Sequence, residues 1–70
     1  MGAVAVLLTR FKLESYITAF ETNGYDDLAF ILQMDKTQDE QLIKDVGFKP
    51  GHAAKYRDYL AVERIMNPMS

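Results

Sequence analysis

Apolar residues recur three and four positions apart along most of the chain, the spacing that places them on one side of an α-helix. No segment has the strict alternation of apolar and polar residues that is typical of a strand. Eight residues carry the first two repeats: Val4, Leu7, Leu8 and Phe11, then Leu13, Tyr16, Ile17 and Phe20. They predict a first helix over residues 3–10 and a second that Asn23 and Gly24 end, so we expect an all-α protein.

Capping residues predict two further helices. Asp26 or Asp27 can cap a short third helix, because a carboxylate at the N-cap accepts hydrogen bonds from free N–H groups of the first turn. Thr37 and Glu40 have the spacing of a capping box, which predicts that Thr37 begins the fourth helix. Gly47 suits the left-handed residue that ends that helix.

Pro50 predicts the start of a fifth helix, because proline lacks the N–H that would be unpaired there. We expect this helix to reach about Met66, since Asn67 and Pro68 do not continue a helix. Short helices in a 70-residue chain cannot form long antiparallel seams, so they predict a compact five-helix orthogonal bundle. We expect the domain to span residues 3–66, with residues 1–2 and 67–70 as flexible ends.

The aromatic residues divide into two groups. We expect four of them in the core because they have helical spacing: Phe11, Tyr16, Phe20 and Tyr56. Tyr25 and Phe48 lie beside turns, where an exposed ring can serve as a contact point.

Composition narrows the class of protein. The 70 residues contain no cysteine, which excludes disulfides, thiol chemistry and Cys-ligated zinc and favours an intracellular, most simply cytoplasmic, location. A hydrophobic share of 49% with 26% charged residues is typical of a folded domain, not of a disordered chain. The longest apolar run covers residues 3–8, far too short to span a bilayer, so we expect no membrane partner.

Residues suited to catalysis are few. The only histidine is His52, so a metal site built on two histidines is excluded, and the glycines stand singly instead of forming a phosphate-binding loop. We therefore expect no enzymatic activity, no cofactor, no metal and no small-molecule substrate. We interpret His52 as a packing residue whose ring bonds to backbone of the preceding loop; the alternative is a functional titrating role.

Charge is distributed unevenly along the chain. Residues 21–45 carry seven acids and two lysines, a net charge of −5, whereas residues 46–64 have a net charge of +2. We expect the two signs to lie on separate faces. The alternative is a solvated surface whose asymmetry is accidental.

The order of several residues resembles a sterile alpha motif (SAM) domain. The matching residues are Val4, Leu7, Leu8, Leu13, Tyr16, Phe20, Asn23, Asp26, Asp27, Val46, Gly47, Gly51, His52 and Lys55. In three places the sequence departs from the family pattern: Leu7 replaces a tryptophan, and the loop before helix four is expected to be a few residues longer. Glu63 replaces an aliphatic residue, from which we expect the end of helix five to lift off the core.

The resemblance implies a noncatalytic protein–protein interaction module within a larger signalling or scaffold protein. SAM domains commonly associate head to tail, so the implied partner is another SAM domain, either a second copy or a different protein. The implied acidic surface contains Asp26, Asp27, Asp39, Glu40 and Asp45. The implied facing surface, at the start of helix five, contains Phe48, Lys49, Gly51, His52 and Lys55.

Some SAM domains bind RNA hairpins, and this is the alternative function. It needs a basic cluster that neutralises phosphates. The net charge of −2, and Ala53 and Ala54 at the start of the last helix, argue against such a cluster. We therefore do not expect a nucleic-acid partner.

Overall fold

The protein is an all-α bundle, as the sequence predicts. The computed structural model describes residues 2–66; Met1 and residues 67–70, predicted as flexible ends, lie outside the described part. Five α-helices occur in residues 2–66: Ala3–Arg10 (α1), Ile17–Thr22 (α2), Leu28–Leu32 (α3), Lys36–Val46 (α4) and Pro50–Met66 (α5). Within the same residues there is no strand, and none of the helices is long and apolar enough to cross a bilayer.

The predicted second helix is divided into two parts. A 3₁₀ turn, Glu14–Tyr16, precedes α2, and the N–H of Tyr16 donates to the Leu13 carbonyl three residues earlier. The chain reverses just before this turn at Lys12, which has a left-handed φ of 62°. Leu13 and Tyr16 are both buried, so the apolar spacing predicts their burial correctly although the backbone is not one continuous helix.

Asp27 is the N-cap of α3, which decides between the two predicted candidates. Its carboxylate accepts a hydrogen bond from the N–H of Phe30 at 3.3 Å. The carbonyl of Asp27 also accepts from the N–H of Ile31 at 3.1 Å, so backbone and side chain together close the first turn.

The prediction that Thr37 caps α4 is wrong. The N-cap is Asp35, whose carboxylate accepts from the N–H of Gln38 at 2.8 Å, while the Gln38 side chain accepts from the N–H of Asp35 at 3.0 Å. An aspartate caps at least as well as a threonine, and the earlier start gains intrahelical hydrogen bonds. Residues 33–35 alone separate α3 from α4, so the expected longer loop is also wrong. Gly47 ends α4 with a φ of 80°, as predicted.

The core is centred on aromatic rings from α2, the α4–α5 loop and α5. Phe20 and Tyr56 are each 1% exposed, and their rings lie 5.9 Å apart between centroids. Phe48 packs against both rings and is half-buried, as is Tyr25. The expectation of freely exposed rings at Tyr25 and Phe48 is therefore wrong, because the turns fold both rings onto the core. The exposed aromatic side chains in residues 2–66 are Phe30 and Tyr59.

The end of α5 does not lift off the core. Glu63 is only 8% exposed, and its carboxylate accepts hydrogen bonds from the Arg10 guanidinium at 3.2 and 3.4 Å. The stem of Glu63 thus fills the position of an aliphatic residue while its charge is paired at the end of α1.

Candidate protein-interaction surfaces

The start of α5 forms a cationic surface, which we call the α5 end and define by Phe48, Lys49, Gly51, His52 and Lys55. The first turn of α5 contains no acidic residue. Helix geometry leaves the N–H groups of Gly51 and His52 without acceptors inside the helix, and the helix dipole adds positive potential there. Within residues 2–66, neither Lys49 nor Lys55 forms an ion pair. The α5 end therefore suits acidic groups from another molecule.

A buried tyrosine holds the α5 end in place. The hydroxyl of Tyr16 lies 2.5 Å from Nδ1 of His52 and accepts a hydrogen bond from the backbone N–H of Lys49 at 3.3 Å. The Tyr16 hydroxyl thus has two partners, the backbone N–H of Lys49 as a donor and Nδ1 of His52, whose role as donor or acceptor depends on the tautomer of the ring. The predicted partner of His52, backbone of the preceding loop, is therefore wrong, because the nearest acceptor or donor is a side chain from the 3₁₀ turn.

The other members of the α5 end differ in exposure. Lys49, Gly51 and His52 are exposed, whereas Lys55 is half-buried with its Nζ 5.7 Å from the centroid of the Tyr59 ring. The Phe48 ring packs against the ring of Tyr16, with 4.2 Å between the two centroids. All five residues thus face solvent at least in part, three of them fully exposed and Phe48 and Lys55 half-buried.

Two of the five predicted acidic residues are already paired within the molecule. Glu40 accepts from Arg57 at 2.7 and 2.8 Å, and Asp39 accepts from Arg64 at 2.8 Å in both contacts. The Arg57 guanidinium holds the pKa of Glu40 below its usual value. Asp39 and Glu40 therefore connect α4 to α5, and each already has an arginine partner within the molecule.

These pairs reduce the charge separation that the sequence predicts. The two acids belong to the segment with net charge −5, and the two arginines belong to the segment with net charge +2. Without these two ion pairs, the net charge is −3 for residues 21–45 and 0 for residues 46–64. The expectation of two fully separate charged faces is therefore wrong where α4 contacts α5. Lys49 and Lys55 of the α5 end take no part in these ion pairs.

The remaining acids adjoin an apolar groove on the other side of α4. The groove has a volume of about 260 Å³ and is lined by Tyr25, Phe30, Met34, Gln38 and Gln41. Asp27 caps the helix that carries Phe30, and Asp45 accepts hydrogen bonds from the Tyr25 hydroxyl at 2.6 Å and the Gln41 amide at 2.7 Å. We call these seven residues the acidic groove and include Asp26, which lines a separate small recess that shares Tyr25 with the groove.

Hydrogen bonds stabilise the ionised form of Asp45 in the acidic groove. The hydrogen bond from the Tyr25 hydroxyl, reinforced by that from Gln41, lowers the pKa of Asp45. The same bond raises the pKa of Tyr25, which therefore stays protonated as the donor. Asp26 is exposed and makes no hydrogen bond or ion pair within residues 2–66.

Phe30 is the residue of this surface that the sequence reasoning missed. It is 51% exposed, whereas the next residue, Ile31, is buried. The sequence does contain a signal, because Leu28, Ile31 and Leu32 form the apolar stripe of α3 and Phe30 lies off it. Phe30 therefore adds exposed aromatic area to the acidic groove.

No group of three or more histidine, cysteine or acidic side chains within residues 2–66 is placed to hold a metal ion. Comparisons of the chain with protein-family models, with curated proteins and with solved structures found no match. The resemblance to SAM domains stays a prediction, and any functional conclusion depends on the geometry of the acidic groove and the α5 end.

Proposed function

We propose that this chain is a noncatalytic protein-interaction module of the SAM type, which associates head to tail. The acidic groove of one molecule receives the α5 end of another, either a second copy or a related helical domain. The observation that carries the proposal is the α5 end itself, a helix N-terminus whose neighbouring lysines form no ion pair within residues 2–66.

The two surfaces complement each other physically. Carboxylates at a helix N-terminus accept hydrogen bonds from the free N–H groups and interact favourably with the dipole. Asp26, Asp27 and Asp45 supply such carboxylates, and the groove beside Phe30 offers apolar area. Charges of this kind mainly set orientation and association rate, whereas buried apolar contacts contribute most of the affinity.

Because the two surfaces differ, the contact is heterologous. A heterologous contact between identical subunits repeats and forms an open filament unless its rotation closes a ring. If the partner is a different protein, one surface is used and assembly stops at a pair.

The test reverses one exposed charge on each surface. Lys49→Glu and Asp26→Lys should each prevent head-to-tail filaments, because each puts like charges at the contact, while an equimolar mixture should restore one head-to-tail contact between the two variants and no filament. Sedimentation velocity over a concentration series measures this. Lys36→Glu is the matched control, since it makes the same charge change at an exposed site in the first turn of α4.

Unchanged sedimentation of Lys49→Glu at concentrations where the wild-type chain assembles would contradict the proposal. A mixture that sediments no faster than either variant alone would show that the two surfaces do not meet. A titration with an RNA hairpin at low salt examines the alternative function, because binding that weakens steeply with added salt would favour RNA.

A further inference from the structure

A second exposed surface lies at the opposite end of α5. Among residues 2–66, six large apolar side chains are exposed, and four of these are in the last eight residues of α5. They are Tyr59, Val62, Ile65 and Met66, with exposed fractions of 44, 53, 78 and 68%. Tyr59, Val62 and Met66 have the i, i+3, i+7 spacing of one helix face, and Ile65 stands beside them. We call these four residues the α5 stripe.

The α5 stripe forms one wall of a groove against the end of α1. This groove has a volume of about 360 Å³ and is lined by Arg10, Phe11, Tyr59, Val62, Glu63 and Met66. The Phe11 and Tyr59 rings meet edge to face at 5.3 Å. Ile65 is the most exposed member of the stripe and does not line the groove. One surface therefore carries both a recess and, next to it, an apolar side chain that projects into solvent.

The ionic groups at the groove do not prevent its burial. Glu63 and Arg10 pair with each other at the groove, so covering it leaves neither charge without a partner. At the other end of the stripe, one turn before Tyr59 and Val62, Lys55 and Asp58 carry one charge of each sign. The charges around the stripe sum to zero, so two copies of this surface do not repel each other.

We propose that the α5 stripe is a two-fold contact with a second copy of this chain, in which the two α5 helices pack antiparallel. Ile65 of each copy enters the groove of the other, which is the reciprocal arrangement that an isologous contact requires. Antiparallel packing opposes the helix dipoles and turns the Lys55 of each copy toward the C-terminal end of the other α5. Parallel packing instead places the two Lys55 side chains together.

This contact is distinct from the head-to-tail contact proposed above. It uses the C-terminal half of α5 and the end of α1, whereas the head-to-tail contact uses the N-terminal turn of α5 and the acidic groove. A chain with both contacts cross-links filaments sideways, and a chain with the two-fold contact alone is a dimer.

Cysteine cross-linking tests the geometry directly, because the chain has no cysteine of its own. With Lys49→Glu present to block head-to-tail assembly, Val62→Cys should form a disulfide-linked dimer under mild oxidation. A mixture of Tyr59→Cys and Ile65→Cys should form the mixed dimer faster than either variant links to itself. Thr18→Cys, exposed on α2, is the matched control and should not cross-link above the collision rate.

The alternatives give different results. Faster self-linking of Tyr59→Cys and Ile65→Cys than of their mixture would indicate parallel helices and overturn the proposed geometry. Cross-linking of Val62→Cys no faster than Thr18→Cys would overturn the contact altogether, and would leave the stripe to a different protein.

Sedimentation separates this proposal from the head-to-tail one. The Lys49→Glu chain should still dimerise with rising concentration, and Val62→Asp with Ile65→Asp should abolish that dimer. Val6→Asp is the control, because Val6 is 47% exposed on α1 and does not line the groove. A Lys49→Glu chain that stays monomeric at every concentration would overturn the two-fold contact, whatever the outcome for the head-to-tail surfaces. Circular dichroism of each variant checks that the helices are retained.

Discussion

Two buried tyrosines, Tyr16 and Tyr56, differ in whether the phenolic hydroxyl forms hydrogen bonds, and this difference changes what each residue contributes to stability. The Tyr16 hydroxyl has two partners, His52 and the Lys49 backbone. The Tyr56 hydroxyl is fully buried and has no hydrogen-bond partner within residues 2–66. Burial accordingly raises the pKa of Tyr56 well above its usual value. Helical spacing predicts that both rings are buried, but it contains no information about which hydroxyl finds a partner.

We expect Tyr56→Phe to raise the free energy of unfolding by about 1 kcal/mol, because it removes a buried hydroxyl whose hydration is lost without a compensating hydrogen bond. The matched change Tyr16→Phe should lower it by about 1 kcal/mol, because two hydrogen bonds are lost. Urea denaturation followed by circular dichroism measures both. Equal destabilisation by the two substitutions would contradict the difference between the hydroxyls.

At the scale of the elements, glycines at the two ends of the α4–α5 connection serve different purposes. Gly47 has a φ of 80°, which strains any residue with a Cβ, and its N–H donates to the Ile43 carbonyl to close α4. Gly51 lies in the first turn of α5 without a positive φ, and a Cβ there would contact nothing within 4 Å. The fold requires the first glycine and not the second.

Gly47→Ala should therefore lower the free energy of unfolding by about 1 kcal/mol through backbone strain. Gly51→Ala should leave it unchanged or raise it by about 0.5 kcal/mol, since alanine is the better helix former. If the α5 end meets a partner's backbone closely, the same Gly51→Ala should weaken association. Thermal unfolding and sedimentation of the two variants give both results, and association that Gly51→Ala leaves unchanged would argue against close approach.

At the scale of the whole molecule, ion pairs join segments far apart in the chain. Arg64 reaches from α5 to Asp39 and to the carbonyls of Ile31 and Leu32 at the end of α3. It thereby gives the Leu32 carbonyl a partner and adds a second hydrogen bond to the Ile31 carbonyl, which also accepts from the N–H of Met34. The neighbouring Arg57–Glu40 pair is exposed on both sides, at 46% and 45% of the side chains. Arg64 is therefore the less exposed of the two arginine links and the one that reaches both α3 and α4 from α5.

Acid should weaken the fold partly through Glu40 and Asp45. Hydrogen bonds from Arg57 and from Tyr25 lower the pKa of these carboxyls below their usual values of 4.5 and 3.8. A lowered pKa means that the unfolded chain binds more protons in this range, so stability is present above these values and is lost as pH falls through the folded-state pKa.

The measurement is urea denaturation as a function of pH, with the wild-type chain compared with Arg57→Gln combined with Tyr25→Phe. The free energy of unfolding of the wild-type chain should decrease as pH falls below about 4.5, and less steeply in the variant. Salt should reduce the difference, because both carboxyls are exposed. Identical slopes would show that these two hydrogen bonds do not contribute.

Sequence alone determined the elements that depend on local chemistry. The apolar spacing predicts the residues of α1 and the buried side of α5, and Gly47 and Pro50 give the boundary between α4 and α5 correctly. These features can be predicted from sequence because backbone strain and helical periodicity depend only on residues that are close together in the chain. The cap of α4 was missed because Asp35 and Thr37 both have a suitable partner three residues later, and the earlier start gains more hydrogen bonds.

Only the tertiary structure decided which charges and rings are available to other molecules. Asp39 and Glu40 are paired with arginines 25 and 17 residues away, and Phe48 is folded onto the core while Phe30 is left exposed. These outcomes depend on distances between helices, and a linear count of charges or aromatic residues contains none of those distances. The α5 stripe became visible for the same reason, because exposure is a property of the packed molecule and not of the residue type.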